Sequence, residues 1–107
     1  NNYQGKLAVL VNENTQSSAE YTSMAFKATP NCVIIGSTTA GADGNVSRIL
    51  LPGGLSTMIS GIGIYYPNKV NTQRAGIVPD VVVNPTIEGI KKGKDEVLEK
   101  ALEILKK

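Results

Sequence analysis

Residues 7–11, Leu7-Ala8-Val9-Leu10-Val11, form an unbroken apolar run. Such a run predicts a strand over residues 6–12 that is covered on both faces, as in a parallel or central position. The chain then turns polar from Asn12 to Gln16 and reaches two adjacent serines, Ser17 and Ser18. A helix is predicted over Ala19 to Lys27. Ala19, Met24, Ala25 and Ala28 supply its small or apolar face, and Thr29-Pro30-Asn31 ends it. Val33 to Gly36 is a second apolar strand. Strand, helix and strand in this order predict a βαβ unit with a right-handed crossover and a parallel pair.

Beyond Gly36 the pattern changes. Ser37 to Asn45 is a loop rich in Gly and Thr. Val46 to Leu51, Leu55 to Ser60 and Ile62 to Tyr65 read as three short strands, joined by Pro52-Gly53-Gly54 and by a turn or bulge at Gly61. Pro67-Asn68-Lys69 is a turn, and Asn71 to Pro79 a polar segment. Asp80 to Val83 reads as extended, and Pro85-Thr86 opens a helical turn near Ile87 to Lys91. A C-terminal helix starts at Lys94 or Asp95. Val97, Leu98, Ala101, Leu102 and Leu105 form its apolar stripe, with Glu96/Lys100 and Glu103/Lys107 as i,i+4 pairs.

Composition narrows the function classes. The chain has 107 residues, one cysteine and no histidine, and a net charge of +2. That length supports one small domain with a core. Lys91, Lys92 and Lys94 lie beside Asp95, Glu96 and Glu99 and read as a solvated face, not a nucleic-acid patch. Aromatics are too sparse for base stacking. A single Cys32 excludes an internal disulfide and a cysteine-based metal site, and its place beside Val33 reads as a buried structural thiol. No stretch reaches the roughly 18 apolar residues of a membrane span. There is no nucleotide fingerprint and no metal cluster, so no cofactor is expected. The chain opens on Asn1-Asn2-Tyr3 without a methionine, and several strands are apolar on both faces. It is expected to be a piece of a longer protein.

The serine turn carries the candidate chemistry. A serine between a strand and a helix exposes its hydroxyl, and the free N–H groups of the first helical turn can stabilise an oxyanion. Helix N-capping is the plain reading of Ser17 and the expected job of its neighbour Ser18, and Glu20 can close a capping box with Ser17. Without histidine, a catalytic serine in this chain lacks its usual base.

Four short motifs then stand in order: Val11-Asn12-Glu13 with Thr15, Ser17 and Glu20; Gly36 with Thr39-Ala40-Gly41; Tyr65-Tyr66-Pro67; and Gln73 with Gly76-Ile77-Val78-Pro79-Asp80. Together, over residues 5–84, they resemble the S41 peptidases, the carboxyl-terminal processing (tail-specific) peptidases and their tricorn-like relatives. The resemblance implies an α/β fold, the Clp protease/crotonase superhelix of ββα units, present here as a partial domain. Residues 1–107 would be the C-terminal portion of the catalytic domain, with its motif-bearing core at 5–84 and a closing helix at 94–107. It also implies that Ser17, three residues before Glu20, is the nucleophile. Ser18 would offer its N–H to the oxyanion, and Thr39, Gly41 and Gly44 would line the substrate cleft. The lysine of the processing peptidases falls on Ala42, so their Ser–Lys dyad is absent. The tricorn-like branch, with its histidine far upstream, fits better. The orienting glutamate of that branch falls near Gln73.

Other polar residues have plainer readings. Asp43, beside Gly44 and with no histidine near, reads as a solvated turn aspartate. Gly41 and Gly44 suit a loop with positive φ. Asn71 reads as loop, Asp80 as a backbone hydrogen-bonding residue, Tyr65 and Tyr66 as strand-end packing, and Glu20 as structural.

The resemblance implies a serine peptidase acting on peptide or protein substrates, in an exported bacterial protein that is periplasmic or membrane-anchored. The fragment alone would be inactive. Its partner would be the missing N-terminal half, with a homodimer as another way to cover its strands. A non-catalytic peptide- or ligand-binding module on the same fold is the main rival, and an acyl-CoA enzyme of the crotonase type a third reading.

Overall fold

The structure is a computed structural model and describes residues 3–106. The βαβ unit forms as its apolar pattern predicts. Strand β1 (Leu7–Val11) leads into helix α1 (Ser18–Lys27) and strand β2 (Cys32–Gly36). The strands pair in parallel, Leu7 opposite Cys32 and Val11 opposite Gly36. Strand β5 (Val81–Val82) adds to the other side of β2, also in parallel, giving the order β1-β2-β5. Val11, Ile34 and Ile77 form the buried core, with Val9, Met24, Cys32 and Tyr66 packed against it.

Asp80 locks the third strand in place. Its Oδ2 accepts from the Ile34 N–H at 2.9 Å, and its Oδ1 pairs with Lys27 at 2.9 Å. Lys27 also donates to the Val78 carbonyl at 2.9 Å. Cys32 is a free, half-buried thiol whose pKa burial raises.

Strands β3 (Gly44–Leu50) and β4 (Ser56–Gly63) form a separate antiparallel hairpin around the turn Pro52–Gly54. Here the predicted pair of strands over 55–60 and 62–65 proves to be one. Gly61 does not break the ladder; it sits in a register shift, where Asn45 faces Ile62 and Val46 faces Ser60. Tyr65 is left with only an isolated bridge to Asn71. The hairpin stands away from the sheet, and Leu50, Leu55 and Met58 are each more than half exposed. The radius of gyration is 17.2 Å, against about 13 Å for a closed domain of this length.

Thr86 caps α2 (Ile87–Lys91) and Asp95 caps α3 (Glu96–Leu105), each through its side chain. The α3 stripe is only partly used. Ala101 is buried and Val97 half-buried, while Leu98, Leu102 and Leu105 stay exposed. The Glu96/Lys100 pair does not form. Glu96 instead accepts from the Thr86 N–H and hydroxyl, and Lys100 pairs with Glu103 at 2.8 Å. The Glu103/Lys107 pair lies outside the described residues. No helix among the described residues is long and apolar enough to cross a membrane.

Candidate active site

The turn between β1 and α1 is built from its own polar side chains. Asn12 Oδ1 accepts from the Asn14 N–H at 3.0 Å, and Thr15 Oγ1 accepts from the Asn12 N–H at 3.1 Å. The chain then enters Ser17 at φ 56°, ψ −125°. A side chain with a Cβ rarely adopts this conformation, which costs on the order of 1–3 kcal/mol. The surrounding bonds hold it there. The Ser17 N–H donates to the Ala42 carbonyl at 3.1 Å and to Glu20 Oε2 at 3.0 Å. The Ser17 carbonyl accepts from the N–H groups of Glu20 and Tyr21. Ser17 stands in N-cap position and closes the expected capping box with Glu20: its side chain faces the Glu20 N–H, and the Glu20 carboxylate accepts from the Ser17 N–H. An N-cap serine ordinarily serves the helix from the β region; this one does so at positive φ, and the residue stays exposed.

Glu20 is the anchor of the turn. It is 0% exposed. Besides Ser17 it accepts from the Thr39 hydroxyl at 2.5 Å, the Gly41 N–H at 2.8 Å and the Ala42 N–H at 3.0 Å. Thr39 Oγ1 in turn accepts from the Ile77 N–H at 2.7 Å. One buried carboxylate therefore ties the serine turn to the loop 39–42, and Thr39 ties that loop to residues 72–77. Gly41, at φ 67°, packs on the Arg74 backbone, and its carbonyl accepts from the Arg74 N–H at 2.6 Å. Thr39 and Gly41 are thus behind the serine turn and not on the cleft wall. Gly44 is on the wall, and its φ is not positive.

In front of the turn lies a cavity of about 290 Å³ lined by Ser17, Ser18, Tyr21, Asp43, Gly44, Asn45, Val46 and Ile64. The Ser18 N–H, the first of α1, donates to no backbone carbonyl among the described residues. Gln73 comes close: its Oε1 lies 3.4 Å from where a Cβ on Gly44 would stand, and this buried oxygen has no hydrogen-bond partner among the described residues. Asn71 only supports it, accepting from the Gln73 N–H at 3.0 Å. Lys27 is paired with Asp80. A larger cleft of about 440 Å³ lies at the ends of β1 and β2 against α2 and α3, and does not include Ser17. No group of residues suited to a metal ion exists among the described residues.

Asp43 is the residue that sequence reasoning misplaced. It is 3% exposed, not solvated. The segment 72–77 folds over the loop and buries it, and Thr72 Oγ1 lies 3.2 Å from its Oδ2. Burial pushes its carboxyl above the ordinary aspartate range; the Thr72 hydroxyl opposes this and the Glu20 charge adds to it. Nothing local signalled this, because the covering segment is some 30 residues away in sequence.

The model of peptidase family S41 matches residues 1–83. The chain belongs to peptidase family S41. Solved structures agree with the S41 assignment. A candidate peptidase of Parabacteroides merdae is 30% identical, with a TM-score of 0.84 over 96% of this chain and 32% of its own. Mature CPAF in complex with lactacystin is 28% identical, with a TM-score of 0.76 over 88% of this chain and 19% of its own. The tricorn protease, at 22% identity, shares the fold, with a TM-score of 0.82 over 95% of this chain and 10% of its own. The chain therefore spans about a third or less of these proteins. No curated protein matches it.

Proposed function

We propose that this chain carries the nucleophile of a serine peptidase of the S41 type and forms the C-terminal portion of its catalytic domain, residues 1–107. The observation that carries this reading is the backbone of Ser17. A strained, exposed serine on a strand-to-helix turn is the geometry of a presented nucleophile. A capping box is ordinarily made from the β region and does not require that strain.

In this mechanism Ser17 Oγ attacks the scissile carbonyl. The Ser18 N–H donates to the oxyanion, with a second donor from the rest of the protein. A base outside this chain accepts the Ser17 proton and later gives it to the leaving amine. Gln73 Oε1, a buried acceptor without a donor, orients that base if it carries an N–H, as an imidazole does. Gly44 forms cleft wall, while Thr39 and Gly41 act through Glu20 to hold the serine turn. The exposed hairpin β3–β4 is covered by the preceding half of the domain. The Ala42 position supports the tricorn-like over the lysine-dyad branch. Placement outside the bacterial cytoplasm rests on family membership alone.

The test is a fluorophosphonate serine probe on the full-length protein, with Ser17→Ala and Ser18→Ala beside wild type. The expected result is labelling lost only in Ser17→Ala. No labelling of a folded wild type would replace this reading with a non-catalytic peptide-binding module. Loss only in Ser18→Ala would move the nucleophile by one residue.

A further inference from the structure

The mechanism above leaves Asp43 unused. It is 3% exposed, yet it stands on the wall of the cavity that holds Ser17. Carboxyl groups so buried are almost always paired. Among the described residues Asp43 has no basic partner: the ion pairs are Lys27–Asp80, Lys92–Glu88 and Lys100–Glu103. Its side-chain partner is the Thr72 hydroxyl at 3.2 Å. That hydroxyl has a single hydrogen and also lies 3.0 Å from the Ile64 carbonyl oxygen, which can only accept. One proton serves two acceptors, so the carboxyl is short of donors.

The neighbouring groups do not relieve it. Glu20, whose charge acts on Asp43, is a second buried acid with no ion pair among the described residues. The Tyr66 hydroxyl also feels Asp43, and its own pKa is raised, first by burial and then by the acids around it. Meanwhile Tyr21, Val46 and Ile64 give the cavity apolar walls, and its volume of about 290 Å³ suits one long side chain. Apolar walls ending at an underdonated carboxyl match an aliphatic stem with a cationic head.

We propose that Asp43 determines substrate specificity: the cavity beside Ser17 takes a lysine or arginine side chain of the peptide, its stem against Tyr21, Val46 and Ile64 and its head on the Asp43 carboxyl. The cavity is a subsite because Ser17 is the reactive residue, so the proposal rests on that reading. With no ligand bound, burial favours the neutral acid. A bound cation reverses this, and the Asp43 proton passes to solvent.

The experiment uses the full-length protein and paired fluorogenic peptides that differ only in arginine or norleucine, with the pair placed at each position around the scissile bond. Wild type is expected to favour arginine at least tenfold in kcat/KM at one position. In Asp43→Asn, which can still hydrogen-bond Thr72, that ratio falls toward one. Equal rates for wild type at every position overturn the proposal. A preference that persists in Asp43→Asn also overturns it. If Asp43→Asn does not fold, the wild-type ratio decides alone. If no peptide is cleaved, binding of the same pairs to Ser17→Ala by fluorescence anisotropy decides. Tenfold tighter binding of the arginine peptide, lost when Asp43→Asn is added, then supports a pocket for a basic side chain at Asp43 while the missing cleavage counts against the nucleophile reading, and equal binding rejects the pocket.

Discussion

The Ser17 amide lies 3.0 Å from Glu20 Oε2, and that contact holds a strained serine to a fully buried carboxylate. Three further donors, from Thr39, Gly41 and Ala42, converge on the same carboxylate. The conformation of the serine turn is therefore set by a loop more than 20 residues downstream, not by α1 alone.

Glu20→Ala leaves the Thr39, Gly41 and Ala42 donors without their acceptor, while the Ser17 N–H keeps the Ala42 carbonyl. At about 1–3 kcal/mol for each uncompensated group, with partial relief by water, it should cost on the order of 3–5 kcal/mol. Glu20→Gln turns an amide N–H₂ against N–H donors and should cost about 2–3 kcal/mol. Urea midpoints at constant m-value check both, and probe labelling of Ser17 should fall more in Glu20→Ala than in Glu20→Gln.

Ser17→Gly should be more stable than Ser17→Ala by about 1 kcal/mol. Glycine accepts φ 56°, ψ −125° without strain, whereas alanine keeps the same Cβ as serine. Both abolish labelling. Equal thermal midpoints for the two variants would mean that the turn relaxes when the hydroxyl is removed.

Gly36→Ala and Gly53→Ala separate crowding from backbone strain. A Cβ at Gly36 would stand 1.8 Å from the Val11 carbonyl oxygen, with φ +133°. Strands β1 and β2 would have to part, at a cost of about 4 kcal/mol or more. Gly53, at φ +83°, has nothing within 4 Å, so Gly53→Ala should cost only about 1 kcal/mol. Thermal unfolding of the two variants tests the difference.

Stability should depend on pH in opposite senses at Asp80 and Asp43. Burial raises the Asp80 pKa, but the Ile34 N–H and Lys27 outweigh it and bring the carboxyl below its usual value of 3.8. Its folded pKa is lower than its unfolded one, so its contribution is full above the ordinary range and is lost as pH falls through the folded value. Asp43 is raised, chiefly by burial. Its contribution is full below the ordinary range and declines as pH rises through the folded value. Asp80→Asn should flatten the acid limb of a urea-midpoint profile against pH. Asp43→Asn should remove a decline on the other side, above pH 3.8.

Sequence alone determined the parts whose causes are local. The apolar run 7–11, the serine turn and the apolar run 33–36 specify a βαβ unit, because strand and helix periods and turn chemistry act over a few residues. The opening of α2 at Pro85-Thr86 and the start of α3 at Lys94 or Asp95 were legible for the same reason, the structure placing the caps at Thr86 and Asp95, and so was the position of Ser17 between strand and helix. Gly61 was not: whether a glycine bulges a strand or ends it depends on the partner strand opposite. Only the tertiary structure decided that Glu20 gathers donors from the 39–42 loop, that Thr39 and Gly41 lie behind the turn, and that Asp43 is buried on the cavity wall. These depend on the segment 72–77 folding back over residues 39–43 through Thr39, Arg74 and Ile77. Burial is a property of what comes to lie on top of a residue, and for Asp43 that cover is about 30 residues away in the chain.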